Sequence, residues 1–398
     1  MTALSEIIRI AAKGDGVTAG GEHVKGGLPG DVLEADGTLA KGPHHVNPPC
    51  QHFGRCGGCQ LQHADEEALR EFVRSRVANA AEGQGIAIGE SLPTHLSPPG
   101  ARRRATLHGL RKGKRAVIGF REGGSHKIVD LQECLVLVPE LTALIAPLRR
   151  FIAAYAGKAP VDIALALADQ GVDCGMTNIT LEGLEATEAA LDFARDNGLA
   201  RLSIDQGYGA ETVWEPEPLS VTLAGVPVPM PAGAFLQATG DAEAVMLADA
   251  KEWLTGAGVV ADLFSGLGTF AFGLAEGRKV LAVEAERAAH LACKTAAARS
   301  QLEVHTLHRD LFRNPLDAKE IGRFGAALLD PPRAGAREQV VQIAESSIER
   351  VVYVSCNPSS WARDAARLIE AGFKLEKLRP VGQFRWSTHV ELVSYFTR

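Results

Sequence analysis

Two short motifs, AALLDPPRAG at residues 326–335 and VVYVSCNPSS at residues 351–360, decide the fold class of this chain. Each begins with an apolar run whose length and composition are typical of a buried parallel strand. Each run ends in polar, proline-rich sequence, and ligands of open α/β sheets bind beyond the carboxyl ends of such strands. The pattern predicts an α/β fold in which Cys356 occupies a nucleophile's position beside Asp330. A buried thiol without a reactive role is the alternative for Cys356 taken alone.

The bulk composition predicts a cytoplasmic protein of two or three domains. The chain has 398 residues, of which 46% are hydrophobic, enough for a sizeable core. It has no apolar run of about 18 residues and no signal-peptide pattern at its N-terminus, so no membrane association is expected. Seven cysteines fit a reducing compartment better than a disulfide framework. The net charge of −6 argues against nucleic-acid binding over the whole surface but does not exclude a local basic surface.

Residues 259–270, VVADLFSGLGTF, combine a buried strand, a Gly-x-Gly turn and the start of a helix. Gly266 and Gly268 let a ligand approach the backbone closely. A single Gly-x-Gly turn is a weak signal, and dinucleotide binding is its main competitor. However, Ala271 occupies the place of the third glycine in the dinucleotide fingerprint.

Acidic residues follow the next strands of this region. The predicted strand at 279–283 ends at Glu284, which is placed to accept hydrogen bonds from ribose hydroxyls. The predicted strand at 304–307 ends near Asp310, which suits the edge of an adenine. Together with Asp330, this set favours S-adenosylmethionine over NAD. Ordinary α/β turn chemistry without a ligand is the alternative.

Three cysteines, Cys50, Cys56 and Cys59, have the spacing of metal ligands. The two glycines between the second and third let the backbone turn so that thiolates face one centre. An all-thiolate tetrahedral site needs a fourth sulfur, for which Cys134 is the best candidate. Four thiolates hold zinc or an iron–sulfur cluster, and spacing alone slightly favours zinc. The other residues weighed are His52 and His63, expected as surface or supporting groups, and Cys174 and Cys293, expected in the core.

Residues 101–130 form a strongly basic stretch in a negatively charged protein. Nine Lys and Arg residues stand against Glu122 alone before Asp130. Alternating hydrophobicity in TLHGL, AVIGF and HKIVD predicts antiparallel strands, with a turn at KGKR. A solvated face is the usual explanation for such charge, but the contrast with the net charge favours a phosphate-binding surface. The basic residues are Arg102, Arg103, Arg104, Arg111, Lys112, Lys114, Arg115, Arg121 and Lys127.

The rest of the chain is less informative about chemistry. Glycine-rich residues 1–41 predict a small curled β-sheet, with an irregular arm as the alternative. Residues 135–222 predict an α/β segment that packs against the last domain. Its expected elements are helices near 139–156 and 183–197 and strands near 161–168, 171–178 and 200–205, and further helices are expected at 64–82 and 241–254.

The motifs DLFSGLGTF, AVEAE, LLDPPRAG, YVSCNPSSWARD and STHVELV together resemble the bacterial RNA 5-methyluridine methyltransferases. The CGGC loop with the distant Cys134 is similar to the ribosomal-RNA branch, which carries a 4Fe–4S cluster. The N-terminal residues resemble a shortened TRAM module, a small RNA-binding β-barrel. The resemblance implies four parts: a truncated TRAM-like module at 1–45, a cluster loop and basic β region at 46–135, a central α/β segment at 136–225, and a Rossmann-like methyltransferase domain at 226–398.

The resemblance also implies roles for individual residues. Cys356 is the nucleophile and Glu391 the general base, and an apolar run around Glu391 would raise its pKa. His389 is a weaker rival base, and an exposed edge-strand position is the alternative for Glu391. The cluster ligands implied are Cys50, Cys56, Cys59 and Cys134, with zinc less favoured. The donor contacts implied are Gln237, Phe264, Gly266, Gly268, Thr269, Glu284, Asp310 and Asp330.

The implied function is methylation of uracil C5 in RNA, with 23S ribosomal RNA as the favoured substrate, by a monomeric cytoplasmic enzyme. The Cys356 thiolate would add to C6 and make C5 nucleophilic toward the methyl group. The target uracil must leave its stack, so a looped or single-stranded RNA is favoured. The alternatives are a transfer-RNA uracil-5 methyltransferase, a non-enzymatic RNA-binding protein with an iron–sulfur or zinc site, a cytosine-5 methyltransferase and a dehydrogenase.

Overall fold

The computed structural model describes residues 5–398. The helices are α1 (Glu66–Glu82), α2 (Pro139–Ala143), α3 (Ile145–Tyr155), α4 (Gly183–Asp196), α5 (Gly240–Trp253), α6 (Ala271–Leu274), α7 (Arg287–Ser300), α8 (Ala318–Ile321), α9 (Arg337–Glu345) and α10 (Pro358–Glu370). The strands before residue 120 are β1 (Ser5–Ile10), β2 (Gly16–Thr18), β3 (His23–Val24), β4 (Val32–Leu33), β5 (Leu39–Ala40), β6 (Glu90–Ser91), β7 (His95–Leu96), β8 (Arg104–Lys112) and β9 (Arg115–Gly119). The later strands are β10 (Val161–Ala168), β11 (Gly171–Thr177), β12 (Leu199–Asp205), β13 (Ala210–Trp214), β14 (Ser220–Leu223), β15 (Val226–Pro229), β16 (Val259–Leu263), β17 (Lys279–Glu284), β18 (Val304–His308), β19 (Ala326–Leu329), β20 (Arg350–Ser355), β21 (Lys374–Gly382) and β22 (Glu391–Thr397).

The N-terminal part is a small sheet with the strand order β3-β2-β1-β4-β5. Ile7, Val17 and Leu28 are buried beneath it. The buried Asp31 ties the chain together, because its carboxylate accepts hydrogen bonds from the backbone of Leu28 and Gly42 at 2.7 Å each. Within the described residues, the N-terminal segment is therefore a small sheet and not an irregular arm.

A six-stranded sheet occupies the middle of the chain, in the order β13-β12-β11-β10-β8-β9. The basic strands β8 and β9 thus share a sheet with β10, β11, β12 and β13, the strands of the central segment. Alternate residues of β10 are buried, as its period-2 pattern predicts. The HKIVD segment does not form a strand, since only an isolated bridge joins Arg121 to Ile128.

The helix predicted near 139–156 is two helices in the structure. Pro147 explains the break after Ala143. In one continuous helix, the backbone N–H of residue 147 would donate to the Ala143 carbonyl. Proline has no backbone N–H, so Pro147 cannot make this hydrogen bond.

The C-terminal sheet has nine strands, with the path β18-β17-β16-β19-β20-β22-β21-β6 and β7 also paired with β21. The strands β16 to β20 are parallel, whereas β22 is antiparallel to both of its neighbours. The strands that follow β16 in sequence, β17 and β18, lie on one side of it, whereas β19 and β20 lie on the other side. A crevice for ligands forms where the strand order reverses in this way, between β16 and β19. No helix in the described part of the chain is long and apolar enough to cross a membrane.

Candidate active site

Strand pairing brings Cys356 and Glu391 together. In the antiparallel pair β20–β22, Ser355 lies opposite Leu392, so Cys356, the next residue, lies opposite Glu391. The paired strand β21 covers the other side, where Val381 lies opposite Glu391. Glu391 is only 5% exposed and belongs to an interior strand, so the exposed edge-strand interpretation is wrong. The rival His389 is exposed and precedes β22, so it does not share a strand face with Glu391.

Asp330 completes an acidic site around the thiol. Its backbone N–H donates to the Leu263 carbonyl at 3.2 Å, which holds it beside the end of β16. Burial raises the pKa of Glu391 to about 7. Burial also raises the pKa of Asp330 well above its usual range, and the charge of Glu391 adds to this effect. The site can therefore hold protons on its carboxyl groups near neutral pH.

The surroundings of Cys356 favour the protonated thiol. Burial and the charges of Glu391 and Asp330 raise its pKa to about 11, while the Arg333 charge acts in the opposite direction. A thiol becomes a strong nucleophile only as the thiolate. Addition of Cys356 to a substrate must therefore be accompanied by loss of its proton.

The glycine turn after β16 is held by Glu284 at the end of β17. The Glu284 carboxylate accepts hydrogen bonds from the backbone of Gly266 at 2.8 Å and of Glu286 at 2.6 Å. Gly266 has a φ of 55°, and a Cβ there would meet nothing within 4 Å. Gly268 has a φ of 93°, and a Cβ there would lie 2.5 Å from the Phe272 ring. Gly266 therefore faces open space, whereas Gly268 is required for packing.

An aromatic pair lies next to this turn. Phe264 has a φ of 64°, an unusual conformation for a residue with a side chain. Its ring centre is 5.4 Å from that of Phe312, which is partly exposed. Asp310 holds that loop, because its carboxylate accepts from the backbone of Phe312 at 2.9 Å. Thr269 is buried on the other side of the turn. The two rings, which are tilted by 53° to each other, offer an apolar surface to a ligand.

Gln237 links this pocket to the acidic site. Its amide nitrogen donates to the Asp330 carboxylate at 3.0 Å. The amide nitrogen of a second glutamine, Gln383, donates to the Gln237 amide oxygen at 3.2 Å. Gln383 was not predicted from the sequence, where nothing marks a single glutamine between two strands.

Three arginines of the basic stretch, where the sequence favours a phosphate-binding surface, are partly buried in the structure. Arg103 donates to the Gln237 carbonyl at 3.0 Å and to Glu243 at 2.5 Å. The Arg104 guanidinium lies 4.4 Å from the centre of the Phe235 ring, near Cys356 and Glu391. Arg102 lies over the Phe384 ring at 5.1 Å. These three arginines therefore do not belong to an open phosphate-binding surface. The other six are exposed, and their contact with phosphates stays a prediction; they are Arg111, Lys112, Lys114, Arg115, Arg121 and Lys127.

The four cysteines predicted as ligands line one pocket. Its other walls include the apolar side chains of Phe120 and Leu131, and the Arg102 side chain borders it. The loop turns tightly at Gly57, where a Cβ would lie 2.7 Å from the Arg121 carbonyl oxygen. Among residues 5–398, no three His, Cys, Asp or Glu side chains are arranged as ligands of a single metal ion. The pocket lining includes Cys50, Cys56, Cys59 and Cys134.

Burial, with a smaller contribution from neighbouring thiolates, favours the protonated form of three of these thiols, Cys56, Cys59 and Cys134. Burial raises the pKa of Cys59 to about 12, with the neighbouring cysteines adding to the effect. The pKa values of Cys56 and Cys134 are raised for the same reasons. His52 lies near this pocket, where its ring accepts from the Gln132 backbone at 3.1 Å. His63 lines an adjoining cleft that shares Cys56 and Cys59 with the pocket. The remaining thiols, Cys174 and Cys293, are buried as expected.

Comparisons with known proteins decide the family. The tRNA (Uracil-5-)-methyltransferase family matches residues 216–398. A 23S rRNA (uracil(1939)-C(5))-methyltransferase from Halomonas elongata is 32% identical over 96% of this chain and 85% of its own length. An uncharacterized RNA methyltransferase from Zymomonas mobilis subsp. mobilis is 48% identical over 99% of this chain and all of its own length. This chain belongs to the RNA uracil-5 methyltransferase family.

The fold of this methyltransferase agrees with a solved structure. The Pyrococcus abyssi tRNA (uracil-54, C5)-methyltransferase, in complex with S-adenosyl-L-homocysteine, superposes with a TM-score of 0.75 at 21% identity. The match covers 99% of this chain and all of the other. This match confirms the predicted α/β methyltransferase architecture, and the sequence relatives confirm the predicted family and enzyme class.

Proposed function

We propose that this methyltransferase transfers a methyl group from S-adenosylmethionine to C5 of a uracil in 23S ribosomal RNA. The observation that carries the proposal is the juxtaposition of Cys356 and Glu391 across β20 and β22, next to Asp330. A nucleophile, a base with a pKa of about 7 and a nearby donor crevice are the parts this reaction needs. The ribosomal-RNA substrate is supported by the Halomonas elongata relative, which aligns along nearly the whole chain.

The reaction begins when the Cys356 thiol gives up its proton to water and its sulfur bonds to C6 of the uracil. The electrons of the C5–C6 double bond move toward the C4 oxygen, which makes C5 nucleophilic. C5 then takes the methyl group, and S-adenosylhomocysteine leaves. Glu391 removes the C5 proton, the double bond re-forms, and the sulfur departs. Arg104, near both reacting side chains, is placed to stabilise the negative charge that develops.

The donor is proposed to bind at the carboxyl edge of β16 to β19. The glycine turn at Gly266 gives it room, and Phe264 with Phe312 offers a surface for the adenine. Glu284 retains free lone pairs for ribose hydroxyls beyond the two backbone hydrogen bonds that it accepts. The proposed donor contacts are Gln237, Phe264, Gly266, Gly268, Thr269, Glu284, Asp310 and Asp330.

The cysteine pocket is proposed to hold a 4Fe–4S cluster, with zinc as the second choice. Four thiols that line one apolar pocket fit such a group, because metal binding replaces their protons and uses their sulfurs. The cluster supplies structural cross-links and no step of methyl transfer. Chelated, cluster-free protein that still folds and methylates normally would contradict this role.

The exposed basic residues of β8, β9 and the following loop are proposed to contact RNA phosphates. They lie on the same sheet as Arg104, whose side chain reaches the active site. Because the thiol lies at the end of a strand, the target uracil must be unstacked to reach it. We therefore expect a looped substrate, bound by a monomer in the cytoplasm. The four-part division at residues 45, 135 and 225 is retained as a proposal.

The decisive experiment uses RNA that contains 5-fluorouridine. After methyl transfer, C5 carries fluorine in place of a removable proton, so the covalent adduct persists. The wild-type protein and Glu391→Gln should form the adduct, whereas Cys356→Ala should not. Cys174→Ala, which removes a buried thiol far along the chain, is the matched control and should form it. An adduct with Cys356→Ala would eliminate Cys356 as the nucleophile.

The substrate is tested by mapping 5-methyluridine in RNA from a strain that lacks this gene. Loss of one 5-methyluridine from 23S ribosomal RNA supports the proposal. Loss from transfer RNA would assign the activity to that substrate instead. Methylation of RNA in which every uridine is replaced would indicate a cytosine enzyme, and absence of S-adenosylmethionine binding would indicate a non-enzymatic RNA-binding protein.

A further inference from the structure

A buried glutamine connects the two halves of the active site. Gln383 is 2% exposed and follows β21, where the chain turns toward β22. Its amide oxygen accepts from the Ala238 backbone at 2.9 Å, and its amide nitrogen donates to Gln237 at 3.2 Å. The Gln237 nitrogen in turn donates to Asp330 at 3.0 Å. A chain of two amides thus ends on a carboxylate of the acidic site.

The direction of this chain is fixed by the backbone. The Ala238 N–H can only donate, so the Gln383 atom that faces it must be the oxygen. The Gln383 nitrogen then faces the Gln237 oxygen, which turns the Gln237 nitrogen toward Asp330. The contacts within the protein are therefore sufficient to orient both amides, and no bound ligand is needed to assign their oxygen and nitrogen atoms.

Gln383 also lies beside Glu391. It follows β21 by one residue, and the β21 residue Val381 is paired with Glu391. The Gln383 side chain and the Arg104 charge lower the pKa of Glu391, against the larger effect of burial. The Cys356 thiol and the Asp330 carboxyl are the other titratable groups coupled to Glu391.

We propose that Gln383 is a positioning residue that orients Gln237 toward Asp330 and holds the Glu391 carboxylate ready to accept the C5 proton. This inference rests on the proposed role of Glu391 as the base. An amide suits the position because its oxygen accepts from the backbone while its two N–H groups serve two different acceptors. A methionine of similar length would fill the space and serve neither.

The test compares Gln383→Met with wild type by following the decay of the covalent adduct on ordinary RNA across pH 5.5 to 9. Without the polar amide beside it, the pKa of Glu391 rises, so more of the base is protonated at low pH. We expect the acidic midpoint to move up by about one pH unit, with decay about tenfold slower at pH 6 and within about twofold of wild type at pH 9. Gln383→Glu should move the midpoint further, because a second carboxylate repels the charge on Glu391.

Gln339→Met is the matched control. Gln339 is also a fully buried glutamine whose amide bonds to backbone, at Leu316, but it lies in α9, away from Glu391. Its replacement should cost similar stability and leave the midpoint unchanged. If Gln383→Met does not fold, Gln383→Glu, which keeps a polar side chain there, provides the measurement.

The outcomes separate this inference from the proposed function. A wild-type protein without an acidic limb, or normal product release by Glu391→Gln, would overturn the role of Glu391 itself. If those results stand but Gln383→Met keeps the wild-type midpoint, or slows equally at every pH, Gln383 is only a structural residue. An upward shift seen in Gln383→Met and absent in Gln339→Met supports the inference.

Discussion

The molecule holds two thiol sites that differ in the charged groups around them. Cys356 lies among carboxyl groups, while the four cysteines of the pocket border the Arg102 side chain. Burial raises the thiol pKa values in both places. At Cys356 the acidic neighbours raise the pKa further, whereas at Cys134 the Arg102 charge lowers it. A single thiol that must gain and lose a bond is thus kept neutral, and four thiols that would bind a metal centre permanently have a cation at hand.

Removal of one cysteine from the pocket should have the largest effect on stability. Cys134→Ala leaves three thiols, too few for the proposed cluster, and the free energy of metal binding is then lost from the folded state. We expect unfolding to become easier by more than about 5 kcal/mol, with loss of the visible absorbance of the anaerobic protein. Urea unfolding with and without a chelator measures the change.

Cys174→Ala is the control for this variant, since it removes a thiol buried in β11 outside the pocket. It should keep the absorbance and the response to chelator. If Cys134→Ala and the chelated wild-type protein are equally stable, the whole loss of stability comes from loss of the metal centre. A Cys134→Ala protein with full absorbance would show that Cys134 is not a ligand.

Removal of the base should have the next largest effect, on turnover. Glu391→Gln keeps the shape of the side chain but cannot accept the C5 proton. The adduct should therefore form normally but decay about a thousandfold more slowly than in the wild-type protein. Single-turnover kinetics on uridine RNA separate the two steps. His389→Gln should leave decay nearly unchanged, because His389 is exposed and outside β22. Slow decay in His389→Gln with normal decay in Glu391→Gln would show that His389, and not Glu391, is the general base.

The sequence was sufficient where a strand is periodic or wholly apolar. The strands at 161–168 and 326–329 have the predicted bounds, because alternation or continuous burial marks both of their ends. Charge counting was insufficient for Arg102, Arg103 and Arg104. It detects a basic stretch, but it cannot show that Arg103 meets Glu243, which is 140 residues further along the chain.

The site shows the same division between local and distant information. Cys356 and Asp330 follow recognisable strands, so their positions at a sheet edge could be predicted. Gln383 could not, since its partner Ala238 is 145 residues away and a single glutamine has no periodic signal. The pairing of Cys356 with Glu391 depends on the insertion of β22 between β20 and β21, which only the folded sheet shows.

The acidic site should also lower stability as the pH rises. The pKa of Glu391 is about 7 in the folded state against an ordinary value of 4.5, so the folded state binds this proton more tightly than the unfolded state. Stability is therefore lost between about pH 4.5 and pH 7 and stays lower above it. Glu391→Gln removes this penalty and should stabilise the protein by about 3 kcal/mol at pH 8 and by little at pH 4.5. Urea midpoints at the two pH values measure the difference. Equal effects at both values would contradict the raised pKa.

Arg102 should give the smallest effect and the most direct test of the contrast between the two sites. Its guanidinium is buried, donates to the Arg104 carbonyl at 2.9 Å, and has its pKa lowered by that burial. If the pocket holds a cluster with thiolate ligands, Arg102→Met removes a counter-charge, and the metal should leave about tenfold faster under chelation. In metal-free protein the same substitution removes a buried cation without a negative partner, so it should stabilise the fold by about 1 kcal/mol. Arg102→Lys keeps the charge and should resemble wild type in both assays. If Arg102 is a counter-ion, Arg102→Met should weaken the metal-bound protein and stabilise the metal-free protein. If Arg102 acts only by packing, the same substitution should destabilise both forms.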